Sequence, residues 1–201
     1  MTIGRDIYAT LKALRNGYLI VYPTDTLYGL GADVFNEDAV KKVYNVKKRD
    51  YSNPLPVAVS SLDMMEDVAF VDQKAKRLVD FFMPGELTLV LKKKECIPDL
   101  VNSGLDCVAV RIPDDDIALE IVSRFGPLTA TSANIHGEST EHYVESIKEK
   151  LGSEEIKYFL DDGIRKASPS TVVDITFKKP RVLRKGDISK DDILDVINND
   201  G

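Results

Sequence analysis

The sequence predicts an α/β fold in which a twisted sheet of mixed parallel and antiparallel strands is flanked by helices. Some segments have apolar residues at helical spacing, whereas others are short apolar runs typical of buried strands. The two kinds of segment alternate along the 201 residues, of which 43% are hydrophobic. A chain of this length and composition can bury a full core, so we expect a single domain over residues 1–201.

The first predicted elements are a helix and the strand that follows it. Ile7, Leu11 and Leu14 have helical spacing, and Gly17 lies where a C-cap is expected. The apolar run at residues 18–22 predicts a strand, and it leads into a loop rich in hydroxyl groups and glycines. Ligands often bind at such strand ends, although Pro and Gly also mark ordinary turns.

A second helix and a second strand follow. Asn36 can cap a helix whose apolar face carries Ala39, Val40, Val43 and Val46. This helix is expected to end near Lys47, and a strand is predicted over residues 55–59. The segment between them is therefore expected to be a loop that follows the end of the helix.

The rest of the chain continues the alternation. We predict helices over residues 72–82 and 117–124 and another carrying Tyr143, Ile147 and Leu151. Strands are predicted over residues 87–91, 108–112, 128–131, 156–160 and 171–175. Ser189 and Asp192 predict a capping box at the start of a final helix.

Two short motifs suggest a polyphosphate site. Lys47 and Arg49 lie two residues apart, so in an extended segment both cationic groups would lie on one side. A mobile ammonium and a planar guanidinium together suit a phosphate chain. Ser132 and Asn134 have the same spacing and offer neutral donors and acceptors. Each motif alone is more often a solvated face or a turn, but together they predict one site.

Charge and cysteine content exclude several classes of protein. A formal net charge of -6 disfavours a protein whose main function is to coat nucleic acid, although clustered lysines and arginines leave RNA binding open. No apolar run could span a bilayer, and residues 1–18 lack the apolar core of a signal peptide. Cys96 and Cys107 form no Cys-x-x-Cys motif. We therefore expect a cytoplasmic protein with reduced thiols.

Seven blocks of sequence, all in the same order, resemble the YrdC family. They are the Tyr-Pro-Thr-Asp-Thr-Leu-Tyr-Gly-Leu block at 22–30, Lys47-x-Arg49 with 53–55, and the blocks at 84–88, 111–113, 131–134, 169–172 and 184–186. The motif-bearing core covers about residues 18–188, nearly the whole chain. The resemblance implies a single YrdC-like domain of the short form, without the additional C-terminal domain of longer members.

The resemblance also implies an activity, that of a threonylcarbamoyl-AMP synthase. Such an enzyme converts L-threonine, bicarbonate and ATP into L-threonylcarbamoyladenylate and pyrophosphate, and the product feeds threonylcarbamoyladenosine modification of tRNA. We expect Mg²⁺ to accompany ATP and, since the sequence has no recognisable carboxylate cage, to be held chiefly by phosphates. Direct contact with tRNA or RNA and transfer of the product to a tRNA threonylcarbamoyl-transferring complex are further expectations.

Site residues follow from matching the family motifs position by position. The resemblance assigns Lys47 and Arg49 to catalysis. It assigns ATP binding to Arg49, Asn53, Ala130, Ser132, Asn134 and Arg184. It assigns threonine binding to Thr26, Arg111, Leu128 and Ser170. Without the family, a structural ion pair is the less favoured alternative for Arg111, whereas Arg184 could equally be a surface charge. Ala58 departs from the pattern, because many members carry there a histidine that helps to bind threonine.

Two other functions remain open. One is an RNA-binding module without catalysis, which would hold RNA on a basic concave face and lose affinity steeply with salt. The other is a carbamoyl-transfer domain of the kind found in hydrogenase-maturation proteins. Those proteins are much larger and carry acylphosphatase and zinc-finger regions that this sequence lacks.

Overall fold

The structure, a computed structural model, describes residues 1–198, so residues 199–201 of the predicted domain lie outside the described residues. Within this range the helices are α1 Ile7–Arg15, α2 Glu37–Lys47, α3 Leu62–Val68, α4 Gln73–Phe82, α5 Asp99–Asn102, α6 Asp116–Phe125, α7 Val144–Leu151 and α8 Lys190–Asn198. The strands are β1 Thr2–Gly4, β2 Leu19–Tyr22, β3 Gly29–Gly31, β4 Val57–Ala58, β5 Leu87–Lys92, β6 Cys107–Arg111, β7 Leu128–Thr129, β8 Thr131–Ser132, β9 Ile156–Leu160, β10 Thr171–Asp174 and β11 Arg181–Arg184.

The strands form two mixed sheets. One has the order β1-β9-β2-β3-β8, with parallel pairing as far as β2 and antiparallel pairing beyond it. The other has the order β11-β10-β5-β6-β4-β7, in which antiparallel and parallel pairs alternate. The predicted α/β class with mixed pairing is confirmed. The strands are divided between two sheets, however, whereas we expected one.

Local capping explains where most of the helices begin. Five helices start after a side chain that accepts a hydrogen bond from the third backbone N–H of the helix; these residues are Asp6, Asn36, Ser61, Asp72 and Asp115. At α8, Ser189 and Asp192 bond to each other's backbone N–H groups and form the predicted capping box. The helices predicted around Asn36 and over residues 72–82 are confirmed to within one residue at each end.

The segment at 128–131, predicted as a single strand, is divided between the sheets. β7 pairs with β4 in the six-stranded sheet, and β8 pairs with β3 in the five-stranded sheet. Ala130, between them, donates its N–H to the carbonyl of Pro56. The Thr129 side chain also bonds to β3 and its neighbour, donating to Leu30 O and accepting from Ala32 N. This crossing brings the two sheets together at one point.

β3 was predicted to be a loop because glycine is unfavourable in strands. The structure shows why glycine is needed there. The buried Tyr22 ring lies flat against β3, and a Cβ atom at Gly31 would lie 2.9 Å from Tyr22 Cε1. At Gly29 the corresponding distance is 3.0 Å. The Tyr22 hydroxyl donates to Thr129 O, so the ring is held in this position.

Other local expectations were wrong or incomplete. Lys47–Arg49 is not extended, because Lys47 ends α2 and Lys48 takes a left-handed conformation with φ of 50°. The sequence patterns also missed β1, α3, α5 and β11, which have three to seven residues each. β1 and β11 exist because they pair with β9 and β10. Short elements of this kind depend on tertiary contacts more than on local propensity.

Two apolar clusters hold the layers together. The smaller lies between α1, α6 and one face of β2 and β9. The larger extends from α2 and α7 through the sheets to α4 and α8. Cys96 and Cys107 are both free thiols. None of the helices within residues 1–198 has the length and apolar character needed to cross a membrane.

The contact between Tyr22 and β3 predicts the effect of a single methyl group. Gly31→Ala should destabilise the protein by about 1–3 kcal/mol, because the fixed ring cannot move away from the new Cβ atom. Urea denaturation would measure this difference. In a Tyr22→Leu background the penalty should be smaller by about 1 kcal/mol. An equal penalty in both backgrounds would show that the ring is not the cause.

Candidate active site

A cleft of about 480 Å³ lies between the β2–β3 connection and one face of the six-stranded sheet. The sheet contributes Thr88 and Val90 from β5 and Ala109 and Arg111 from β6. Members of each pair are two residues apart, so both side chains face the cleft. Ala58, on β4, adds a small and almost fully buried side chain to this floor.

Arg111 is tied to the opposite wall by a buried ion pair. Its Nη2 donates to both carboxylate oxygens of Asp25, at 2.7 and 2.6 Å, and to Gly85 O at 2.9 Å. Its Nη1 donates to Thr26 Oγ1 at 3.3 Å. The side chains of Arg111 and Asp25 are only 7% and 10% exposed. Arg111 thus forms the structural ion pair considered above and also lines the cleft, with its buried Nε lacking a protein partner.

The hydroxyl groups of the β2–β3 connection order that loop. Thr24 Oγ1 donates to Leu27 O at 2.5 Å and lies 3.1 Å from Thr26 Oγ1. Thr26 O in turn accepts the N–H of Ala167, from the segment between β9 and β10. Thr26 is therefore held against Arg111 on the cleft wall.

Arg184 lines the cleft, although the residue as a whole is exposed. It is on β11, where Nε donates to Ser170 O and Nη2 to Ser170 Oγ, both at 3.0 Å. Ser170 Oγ is also 2.8 Å from Thr88 Oγ1. Burial and, secondarily, the positive charge of Arg111 lower the pKa of Arg184. Two guanidinium groups thus share this part of the cleft.

Arg49 lines the other end of the cleft. Its Nε donates to Asn53 O at 3.1 Å, its Nη2 donates to Pro54 O at 2.9 Å, and its Nη1 is 3.4 Å from His136 Nδ1. None of these three partners is a carboxylate, so the guanidinium charge remains available to a ligand. Burial lowers the pKa of Arg49, which nevertheless stays protonated.

Lys47 lies beneath the loop that follows β8. Its Nζ donates to Ser132 O, to Asn134 O at 2.8 Å and to Asn134 Oδ1 at 3.0 Å. The residue is 1% exposed and does not line the cleft. Burial, with a smaller effect of the Arg49 charge, lowers the pKa of Lys47 to about 7. The two motifs are thus brought together as predicted, but through a hydrogen-bonded cross-link.

Eight of the sequence-assigned residues line the cleft: Thr26, Arg49, Arg111, Ala130, Ser132, Asn134, Ser170 and Arg184. Lys47, Asn53 and Leu128 do not. Asn53 supplies a carbonyl to Arg49 and Tyr44, and Leu128 is fully buried in the smaller apolar cluster. Sequence reasoning gave no role to Thr24, Thr88, Glu138 or Thr140, which also line the cleft. Thr24 and Thr88 belong to family blocks, whereas no pattern marked the other two.

The charge of the cleft suits an anionic ligand. Among the described residues that line it are three arginines and one carboxylate, that of Glu138. Hydroxyl and amide groups from Thr26, Ser132, Asn134 and Ser170 add hydrogen-bonding capacity. Within residues 1–198, no cluster of three or more His, Cys, Asp or Glu side chains could hold a metal ion. The protein groups therefore favour binding of phosphate and carboxylate.

Comparisons with known proteins agree with this geometry. The sequence model of the Sua5/YciO/YrdC family, described as telomere recombination, matches residues 12–186. A protein of Methanocaldococcus jannaschii is 41% identical over 176 residues, covering 87% of this chain and 83% of that protein. A Bacillus subtilis protein named threonylcarbamoyl-AMP synthase is 38% identical over 188 residues, covering 92% of this chain and 54% of its own length.

A solved structure is also similar. The crystal structure of Sua5 from P. abyssi complexed with L-threonine superimposes with a TM-score of 0.91 at 35% sequence identity. The match covers 98% of this chain and 61% of the Sua5 chain. The present chain thus spans little more than half the length of the Bacillus subtilis protein and of this Sua5.

The buried pair between Arg111 and Asp25 predicts a large effect on stability. Asp25→Ala should lower the free energy of unfolding by about 3 kcal/mol, because it leaves the guanidinium charge buried without its partner. Urea denaturation would measure the loss. The double variant Asp25→Ala/Arg111→Met should recover most of it, since the unpaired charge is then gone. A loss below about 1 kcal/mol in the single variant would be typical of an exposed pair and would contradict the buried one.

Proposed function

The chain belongs to the Sua5/YciO/YrdC family, and from that premise we propose that it synthesises L-threonylcarbamoyladenylate from L-threonine, bicarbonate and ATP. The observation that carries the proposal is the clustering of Arg49, Arg111 and Arg184 in one cleft with a single lining carboxylate. The name of the Bacillus subtilis relative and the threonine in the Sua5 structure support the same activity.

We propose that the amino acid occupies the end of the cleft formed by Thr26, Arg111 and Ser170. There Arg111 lines the cleft and is fixed by Asp25, so a carboxylate can approach a guanidinium that is already oriented. The hydroxyl groups of Thr26 and Ser170 would form hydrogen bonds with the amino-acid side chain, as donors or as acceptors. Leu128 would act indirectly, because it is buried behind Ala130.

The phosphates of ATP would occupy the other end, near Arg49, Ser132 and Asn134. Arg184 bonds to Ser170 and lies close enough to Arg111 for the charge of Arg111 to contribute to the lowered pKa of Arg184. Arg184 would therefore contact the ligand between the two ends of the cleft. Ala130 lines the same wall, whereas Asn53 acts through Arg49 by accepting from its Nε. In this proposal the α-phosphate would lie next to the amino-acid end.

The reaction has two bond-forming steps. The threonine amine attacks the bicarbonate carbon, and loss of water leaves a carbamate. A carbamate oxygen then attacks the α-phosphorus of ATP, and the bond to the β-phosphate bridging oxygen breaks with release of pyrophosphate. Both reactants are anionic, so arginines fixed before the ligands arrive would lower the barrier by offsetting repulsion and by positioning.

We propose that Mg²⁺ enters with ATP. Magnesium sites formed with nucleotides use few carboxylates and rely on phosphate oxygens. The cleft lining, with Glu138 as its carboxylate among the described residues, offers no protein cage. Any Mg²⁺ would therefore be carried by the phosphates, where it neutralises part of their charge.

The product would be an acyl-adenylate mixed anhydride, which reacts with water. We propose that it is transferred to a tRNA threonylcarbamoyl-transferring complex in the cytoplasm, where tRNA is modified. Direct contact with tRNA is part of this proposal. The exposed basic residues Lys178, Lys179 and Arg181, near the cleft-lining Arg184, are the surface that would serve it.

Pyrophosphate release tests the proposed reaction. It should require ATP, bicarbonate and threonine together, and Arg49→Ala and Arg184→Ala should each reduce kcat/KM by about 100-fold or more. Arg181→Ala is the matched control, because this exposed arginine lies on the same strand and stacks on Phe177 outside the cleft. ATP turnover that ignores threonine would refute the proposed function. It would favour the carbamoyl-transfer alternative, whereas no pyrophosphate release under any condition would favour the RNA-binding one.

A further inference from the structure

The contacts of Lys47 suggest a role different from that of Arg49. An ammonium group has three N–H donors. In Lys47 all three have acceptors: Ser132 O, Asn134 O and Asn134 Oδ1. The group is buried at the end of α2, so none of its donors points into the cleft. Direct contact with a phosphate would require breaking one of these bonds.

The loop over Lys47 is anchored at its start, where Ala133 N donates to Tyr28 O and the Ala133 side chain is buried in the larger apolar cluster. It runs from Ser132 to Glu138, with the cleft on one side and a second cavity of about 570 Å³ on the other, lined in part by Val46, Lys48, Ile135 and Glu138. Gly137, with φ of 84°, has open space around it. Since packing holds only part of this loop, its hydrogen bonds determine its conformation.

Lys47 lies at the centre of those hydrogen bonds. Asn134 Oδ1 accepts from Lys47 Nζ and also from Ser132 Oγ at 2.7 Å, while Asn134 Nδ2 donates to Glu138 O at 2.5 Å. His136 N donates to the backbone carbonyl of Lys47 at 2.8 Å. The ammonium therefore turns two carbonyl oxygens and one amide oxygen away from the cleft. If the loop were free to change conformation, those oxygens would face the phosphate and their partial negative charge would repel it.

We propose that Lys47 is a positioning residue that holds the Ser132–Asn134 loop ready for phosphate, and that Arg49 supplies the cation that touches the ligand. The inference rests on the proposed function for the identity of the ligand. It assigns different tasks to two cations that are two residues apart. Lys47, at the end of α2, holds the loop in place. Arg49, which follows the left-handed Lys48, contacts the ligand.

Hydrogen exchange in the nucleotide-free protein tests this assignment. Lys47→Met removes the donors at similar side-chain length, so amides at 131–138 should exchange at least about tenfold faster than in wild type. Arg49→Met should change them much less, because Arg49 touches this loop through a single long contact, 3.4 Å, to His136 Nδ1. Lys42→Met is the matched control, because Lys42 lies on the same helix and bonds to Gly17 O and Glu155, away from this loop.

The opposite result would overturn the proposal. If Lys47→Met left exchange of the free loop unchanged and abolished only the protection induced by pyrophosphate, Lys47 would be a ligand contact. Both outcomes are measured without catalysis. A failure of the proposed synthase activity can therefore be distinguished from a failure of the positioning role of Lys47. If the activity is present, Lys47→Met and Arg49→Met should both reduce kcat/KM for ATP, but only Lys47→Met should loosen the free loop.

A measurement on the wild-type protein covers the case in which Lys47→Met does not fold. The ¹⁵N resonance of Lys47 Nζ can be followed at pH 6, where the ammonium is charged, during titration with pyrophosphate. A positioning role predicts that this resonance stays unchanged while the Arg49 side-chain resonances move. A shift of the Lys47 resonance as large as that of Arg49 would overturn the proposal.

Discussion

The hydrogen bonds from the buried Lys47 ammonium to Ser132 and Asn134 are the contacts on which the cleft most depends. They join residues 85 and 87 positions apart and connect the end of α2 to the loop after β8. Burying a cation without a carboxylate is costly, and the pKa of Lys47 falls to about 7 as a result. Three oxygen acceptors compensate that cost only in this one arrangement of the loop, so the interaction selects the loop conformation.

The crossing of the chain between two sheets positions the rest of the site. β7 and β8 belong to different sheets, and the Tyr22 ring packed on Gly29 and Gly31 keeps β3 close to that crossing. Arg111, on β6, then reaches Asp25 after β2, which closes the opposite side. The cleft is thus lined by side chains on strands and by short loops fixed at both ends. Such rigid placement suits a reaction limited by the repulsion of two anions.

Local signals in the sequence were sufficient to predict six of the eight helices within residues 1–198 and the grouping of most functional residues. Asn36, Asp72 and the pair Ser189 and Asp192 cap helices through contacts within a single turn, which is why residue spacing reveals them. Motif blocks likewise indicated that Ser132, Asn134 and Arg184 share one cleft. These features depend on neighbours in the chain or on the resemblance to a family.

The features that could not be predicted depend on distant residues. The glycines of β3 are typical of a loop when only the sequence is considered. The Tyr22 ring that requires them is seven and nine residues away in the chain and belongs to the paired strand β2. The burial of Lys47 could not be predicted, because nothing local reveals that its charge is enclosed by carbonyl oxygens. The division of 128–131 between two sheets likewise follows from pairing partners near Gly29 and Val57.

Isotope transfer from bicarbonate would test the central claim most directly. The protein would be incubated with ATP, Mg²⁺, L-threonine and ¹³C-bicarbonate, and the nucleotides analysed by mass spectrometry alongside pyrophosphate. Synthesis in this cleft predicts a threonylcarbamoyl adenylate that carries the ¹³C label and forms in equal amount with pyrophosphate. Pyrophosphate and AMP without any labelled adenylate would contradict it, because the cleft would then bind and cleave ATP without joining it to the carbamate.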